Sequence, residues 1–172
     1  LNRDWVIKRW EARVWTSLRT TMAAQERRSK KRSASSGVPP DASEFGRVVF
    51  FVDRSLGNRY VPDALRAAGA RVEIHESHFA DEAEDVDWLS EVGRRGWIVL
   101  TKDDRIRYRT HEVAAIERAG VRAFVLTTAR TRGSDMATLF ATVALKLVRL
   151  AINTPPPFVF ALNRSGELRR VL

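Results

Sequence analysis

The chain contains no cysteine, and that absence removes disulfides, thiolate metal sites and cysteine nucleophiles together. Nor does it hold any run approaching the ~18 consecutive apolar residues of a membrane span. Charges interrupt every apolar stretch from Leu1 to Leu18, unlike the unbroken apolar centre of a secretory signal. The expectation is a cytoplasmic protein with no membrane partner. No glycine-rich phosphate loop follows the first apolar run and no serine sits in a nucleophile elbow, so P-loop nucleotide binding and hydrolase triads are disfavoured. His75, His78 and His111 include no pair four residues apart on a helix, so the helical zinc motif is missing too.

What is present points elsewhere. Hydrophobic residues make up 44% and charged residues 30% of 172, the composition of one globular core with a tail or two. Lys and Arg outnumber Asp and Glu by 30 to 21, for a net charge of +9. That balance favours polyanionic partners through counterion release, nucleic acid above all.

Three regions separate by composition. Residues 1–21 carry Trp5, Trp10 and Trp15 with Val6, Val14 and Leu18, the stripe of a short amphipathic helix. A second reading makes them an upstream extension preceding a start at Met22, or the remnant of something larger. Residues 22–46 read as a basic, flexible linker: Arg27, Arg28, Lys30, Lys31 and Arg32 precede a Ser-rich stretch and Pro39-Pro40, and such a composition buries nothing. Residues 47–172 alternate strand and helix. Strands are expected at 47–52, 71–75, 97–101, 121–126 and 158–162, with a short last strand at 167–172. Helices are expected at 60–68, 85–92, 111–118 and 134–152, the last capped by Ser134 and presenting Leu139, Val143, Leu147 and Leu150. Gly93 to Gly96 are expected to close the second helix. This alternation means an α/β fold with a mostly parallel sheet, and the final hairpin adds an antiparallel C-terminal edge.

The chemistry lies in where the acids fall on that alternation. Asp53 directly follows the first strand, and Asp103 and Asp104 follow the third. In an open parallel sheet the carboxyl ends of the strands rim the crevice where ligands bind. Asp85 and Asp87 open the helix that leads into the third strand, near the same edge. A cage of carboxylates suits Mg²⁺ or Mn²⁺, and such ions hydrolyse phosphodiesters. Thr101 is placed to hold a carboxylate oxygen. An Asp after a strand is also a common turn former, and an Asp at a helix start a common cap; the coincidence of several at one edge lifts Asp53 and Asp103 above that bland reading. His75 closes the second strand near this edge, whereas His78 reads as a surface loop residue.

Phe50-Phe-Val-Asp-Arg-Ser-Leu-Gly57, Asp85-Val-Asp-Trp-Leu89 and Gly96-Trp-Ile-Val-Leu-Thr-Lys-Asp103 resemble the PIN-like domain of the VapC45 type, and are similar to the shorter Mut7-C and DUF5615 relatives. Pro156-Pro-Phe158, then a strand and the Asn163-x-x-Gly166 turn, fit as well. The resemblance covers 47–172 and implies a three-layer PIN-like domain. It also implies a metal site at Asp53, Asp85 and Asp103 with Asp104 as a fourth acid, and a ribonuclease toxin paired with an antitoxin. In one respect the chain departs: some relatives carry an Asp two places after the third acid, where Arg105 stands here.

Arg105, Arg107 and Arg109 alternate with Ile106 and Tyr108 just past the acids, a pattern of phosphate clamps with a stacking ring. Arg54 stands beside Asp53, and Arg130 and Arg132 follow the fourth strand. The leading expectation is a Mg²⁺- or Mn²⁺-dependent endoribonuclease with RNA and a cognate antitoxin as partners, homodimerisation being open. The competing reading is a catalytically silent module that binds RNA or a partner protein. A receiver-like phosphotransfer fold fares worse, because no clear lysine ends the fifth strand.

Overall fold

The computed structural model describes residues 44–80, 82–128 and 130–172. The expected helix at 1–21 and the linker up to residue 43 lie outside them. Six strands form one sheet: β1 (Val49–Val52), β2 (Arg71–Ile74), β3 (Ile98–Thr101), β4 (Arg122–Leu126), β5 (Phe158–Leu162) and β6 (Leu168–Arg170). Their order is β2-β1-β3-β4-β5-β6. All neighbours pair in parallel except β5 and β6, which are antiparallel. Four helices connect the parallel strands: α1 (Tyr60–Ala67), α2 (Asp85–Arg94), α3 (Thr110–Ala119) and α4 (Gly133–Asn153).

Central strands of a parallel sheet are covered on both faces, which is why β1, β3, β4 and β5 are nearly unbroken apolar runs rather than alternating ones. Successive side chains still point to opposite faces. Phe50, Val52, Ile98, Leu100, Phe124 and Phe158 pack with Val61 and Leu65 of α1 and Phe140, Leu147 and Val148 of α4. Phe51, Val99, Ala123, Val125 and Val159 pack the other way, against Trp88, Leu89 and Val92 of α2 and Ile116 of α3. The result is three layers, α1 and α4 on one face, α2 and α3 on the other.

Three local expectations change. Arg132, not Ser134, is the residue preceding α4, and no side chain caps that helix. Val143 and Leu147 are in the core, while Leu139 and Leu150 are only partly buried at its flank. Helix α2 also runs through Gly93 to Arg94. A β-carbon at Gly93 would lie 2.5 Å from the Ala119 carbonyl oxygen, so this glycine lets α2 approach α3. Gly96, at φ 68°, belongs to the turn behind the helix, in the left-handed conformation that glycine favours.

The strand order positions the site. From β1 the chain moves to one side to make β2, then crosses back to make β3 on the other side. The switch point of the sheet is therefore the β1/β3 pair, the place where doubly wound sheets open a crevice at their carboxyl ends. Val52 is in register with Leu100, and the Asp53 amide donates to the Leu100 carbonyl at 2.9 Å. Both strands thus release their chains at the same height.

Candidate functional site

Each of these two strands hands its chain to the same device. Asp53, in extended conformation, caps the 3₁₀ turn Arg54–Leu56 and accepts the Ser55 amide. Asp103 likewise caps the 3₁₀ turn Asp104–Arg107 and accepts the Arg105 amide at 3.0 Å. A short carboxylate that bonds the backbone two residues on is what lets Asp end a strand and start a turn. Turn former and site residue are here the same side chain.

Asp53 is 5% exposed. Its Oδ2 accepts from the Thr101 hydroxyl at 2.7 Å and from the Ser55 hydroxyl. Those two hydroxyls in turn accept the amides of Asp103 and Lys102, each at 2.9 Å. The exit of β3 is thereby tied to the carboxylate at the exit of β1. All these donors are neutral, so they orient the charge without cancelling it. Among the described residues, Asp53 Oδ1 has no hydrogen-bond partner.

Asp85 is the first residue of α2, where a negative charge suits the helix dipole. Trp88, one turn on and on the same face, donates its indole N–H to Asp85 Oδ1 at 2.9 Å. The guanidinium groups of Arg54 and Arg109 stand 3.7 and 3.8 Å from the Asp85 carboxylate. Asp103 is balanced more tightly: Arg105 forks onto both of its oxygens, with Nε at 2.9 Å and Nη2 at 3.0 Å. Those side-chain hydrogen bonds hold the Asp103 carboxyl below the usual carboxylate range.

Asp53, Asp85, Asp103, Thr101, Arg54, Arg105 and Arg109 line one pocket of about 540 Å³, together with Ser55, Trp88 and Ile106. The other expected site residues are not in that lining. The carboxylate of Asp104 is taken by Arg107. Asp87 is exposed one residue before Trp88 on α2. Arg107 lies 4.3 Å from the ring centroid of Tyr108, which is 66% exposed, so this pair sits beside the pocket rather than in it. Arg130 and Arg132 are exposed past β4.

Sequence reasoning passed over four residues. Ser55 was legible in the Asp-x-Ser spacing that such a turn favours, and Trp88 in its position three after Asp85. Ile106 gave no signal apart from its apolar character between arginines. Glu112, in the first turn of α3, is 1% exposed; its Oε1 accepts from Arg109 at 2.7 Å and its Oε2 has no partner among the described residues. The three-residue spacing of Arg109 and Glu112 was the available sign. His75 is fully buried between Phe51, Phe79 and Trp88, and among the described residues neither ring nitrogen has a partner. Burial first, then the charge of Arg54, lowers its pKa, with Asp53, Glu76 and Asp85 pulling the other way.

The donor set suits a hard divalent cation in kind: carboxylates and hydroxyls, with no sulfur and no histidine in the pocket lining. In arrangement it is gathered around guanidinium groups. Among the described residues no three acidic or histidine side chains stand close enough to share an ion. No helix among them is long and apolar enough to cross a membrane.

A family profile described as a PIN like domain matches residues 48–128, the stretch that carries all three pocket acids. The chain is 31% identical over 123 residues to the protein named "Putative ribonuclease VapC45" from Mycobacterium tuberculosis (strain ATCC 25618 / H37Rv), covering 69% of this chain and 88% of that protein. No solved structure matches this chain.

Proposed function

The chain belongs to the PIN-like domain family, and from that membership we propose that it is a metal-dependent endoribonuclease, the toxin of a toxin–antitoxin pair. One observation carries the reading: three carboxylates from two strand ends and one helix start line a single pocket at the switch point of the sheet, with three arginines among them. Carboxylates alone would repel an RNA backbone, and arginines alone would only bind it. Together they match a phosphodiester held against a divalent cation.

Once the guanidinium groups facing Asp85 and Asp103 give way, Asp53, Asp85 and Asp103 would close on Mg²⁺ or Mn²⁺, which when bound supplies Lewis acidity at phosphorus and lowers the pKa of water. The remaining roles belong to the protein. Ser55 and Thr101 fix the Asp53 carboxylate, and Trp88 fixes that of Asp85. Arg54, Arg105 and Arg109 orient the scissile phosphate, an ordering that itself lowers the barrier. Arg107 backs Tyr108, whose exposed ring offers a flanking base a stacking surface. RNA and a cognate antitoxin are the partners this reading requires.

The test is cleavage of a labelled single-stranded RNA in Mg²⁺ or Mn²⁺ by wild type and Asp103→Asn, with EDTA as the control. The reading stands if cutting needs metal and disappears in the variant. The second reading, a silent PIN-like module, is favoured by the Arg105 fork that occupies both Asp103 oxygens. It takes over if the folded wild type retards RNA in a salt-dependent way and leaves it uncut.

A further inference from the structure

Three arginines alternate along the turn after β3, and the structure treats them differently. Arg107 pairs with both oxygens of Asp104, packs on Tyr108 and is only 15% exposed. Arg109 is anchored by the buried Glu112 and reaches Asp85 only at 3.8 Å. Removing either from its partner would leave a carboxylate, in one case a buried one, without its counter-charge. Arg105 has no such anchor. It is 67% exposed, and among the described residues its guanidinium bonds Asp103 alone. Swinging it into water uncovers only the Asp103 carboxylate, whose charge an incoming cation would neutralise.

The fork and a cation compete for Asp103. Both oxygens of that carboxylate already accept from Arg105, and a guanidinium two bonds away would repel a divalent ion. Asp53 offers the contrast, with its Oδ1 unpartnered. Asp85 is faced by the anchored Arg109 and by Arg54, whereas Asp103 is covered by a single movable side chain.

We propose that Arg105 is a built-in competitor for the metal, occupying Asp103 until a divalent cation displaces it and so setting the chain's affinity for that cation. The inference rests on the assignment of Asp103 as a metal ligand in the ribonuclease reading. Its consequence is a weak resting metal affinity, with one guanidinium released at the pocket whenever the ion binds.

The experiment is titration of the full chain with Mn²⁺ alone, free Mn²⁺ being read by electron paramagnetic resonance, for wild type, Arg105→Ala and Arg107→Ala. Circular dichroism confirms that each is folded. Arg105→Ala should bind Mn²⁺ about tenfold more tightly than wild type, the scale of a charge-assisted, bidentate but exposed pair. Arg107→Ala, which removes the same charge two residues away, should shift the affinity less than about twofold, as a side chain outside the pocket acts only through a screened field. Equal affinity in wild type and Arg105→Ala overturns the proposal and leaves the metal assignment intact. Equal tightening in both variants also overturns it, because net charge rather than the fork is then the cause. Binding by none of the three overturns the proposal and the metal-dependent reading together.

Discussion

After β1, Asp53 caps a 3₁₀ turn and is met by the hydroxyls of Ser55 and Thr101; after β3, Asp103 caps a second such turn and is met by the guanidinium of Arg105. The backbone device is the same and the electrostatic balance is opposite. Asp53 is buried and oriented by neutral donors, Ser55 of its own turn and Thr101 of the neighbouring strand. Asp103 is 25% exposed and neutralised by a neighbour two residues along its own chain. Neutral donors fix geometry and leave the charge to act on a ligand, whereas a counter-charge must be displaced first. On the proposal above, the β1 end is the permanent half of the site and the β3 end the adjustable half.

The sharpest way to break this comparison is at the permanent half. Asp53→Asn keeps the shape and removes the charge, so RNA cleavage in Mn²⁺ should fall at least about a hundredfold, the loss of several kcal/mol of charge stabilisation. Single-turnover gel kinetics would show it, and a loss below about fivefold would remove Asp53 from the chemistry.

Next in size is Thr101→Val. It deletes the 2.7 Å bond to the Asp53 carboxylate and leaves the Asp103 amide without its acceptor. The urea midpoint should report about 2 kcal/mol of destabilisation, the scale of a buried hydrogen bond to a charged group.

Behind the permanent half lies His75, whose folded pKa is depressed chiefly by burial. The folded state then binds fewer protons than the unfolded chain just below pH 6.5, so stability is full above that value and falls as pH drops beneath it. The slope cannot exceed about 1.4 kcal/mol per pH unit for one proton. Urea midpoints between pH 7.5 and 5.5 should show the decline in wild type and a flatter profile in His75→Leu; parallel profiles would reassign it.

The smallest effect belongs to the adjustable half. Arg105→Ala should leave the urea midpoint nearly unchanged, since exposed ion pairs contribute little. A larger loss would mean that the fork is structural and that the β3 end is as permanent as the β1 end.

Much of this was legible in one dimension. The apolar runs of β1 and β3 located two strands, and an Asp just past each marked where the turns begin. Asp85 followed from the helix start it occupies. Legibility failed where partners are distant or alternate: whether Asp104 or Asp103 faces the pocket depends on how a four-residue 3₁₀ turn is wound, and the sequence places both at the strand end. Thr101 was nominated only as a holder of some carboxylate, since its bond to Asp53 spans 48 residues. Glu112 was overlooked because a Glu in the first turn of a helix is ordinarily a solvated residue there. Here α3 lies against the sheet and buries it.

By itself, then, the sequence determined the α/β alternation, the mostly parallel sheet and the set of acids delivered to one edge. Those properties follow from local periodicity and from which residues end each strand. Only the tertiary structure decided which acids share a pocket, which hydroxyls and arginines meet them, and which of three alternating guanidinium groups is left without an anchor. Such choices depend on the β2-β1-β3 strand order and on the packing of α2 and α3, which bring together side chains that no local pattern relates.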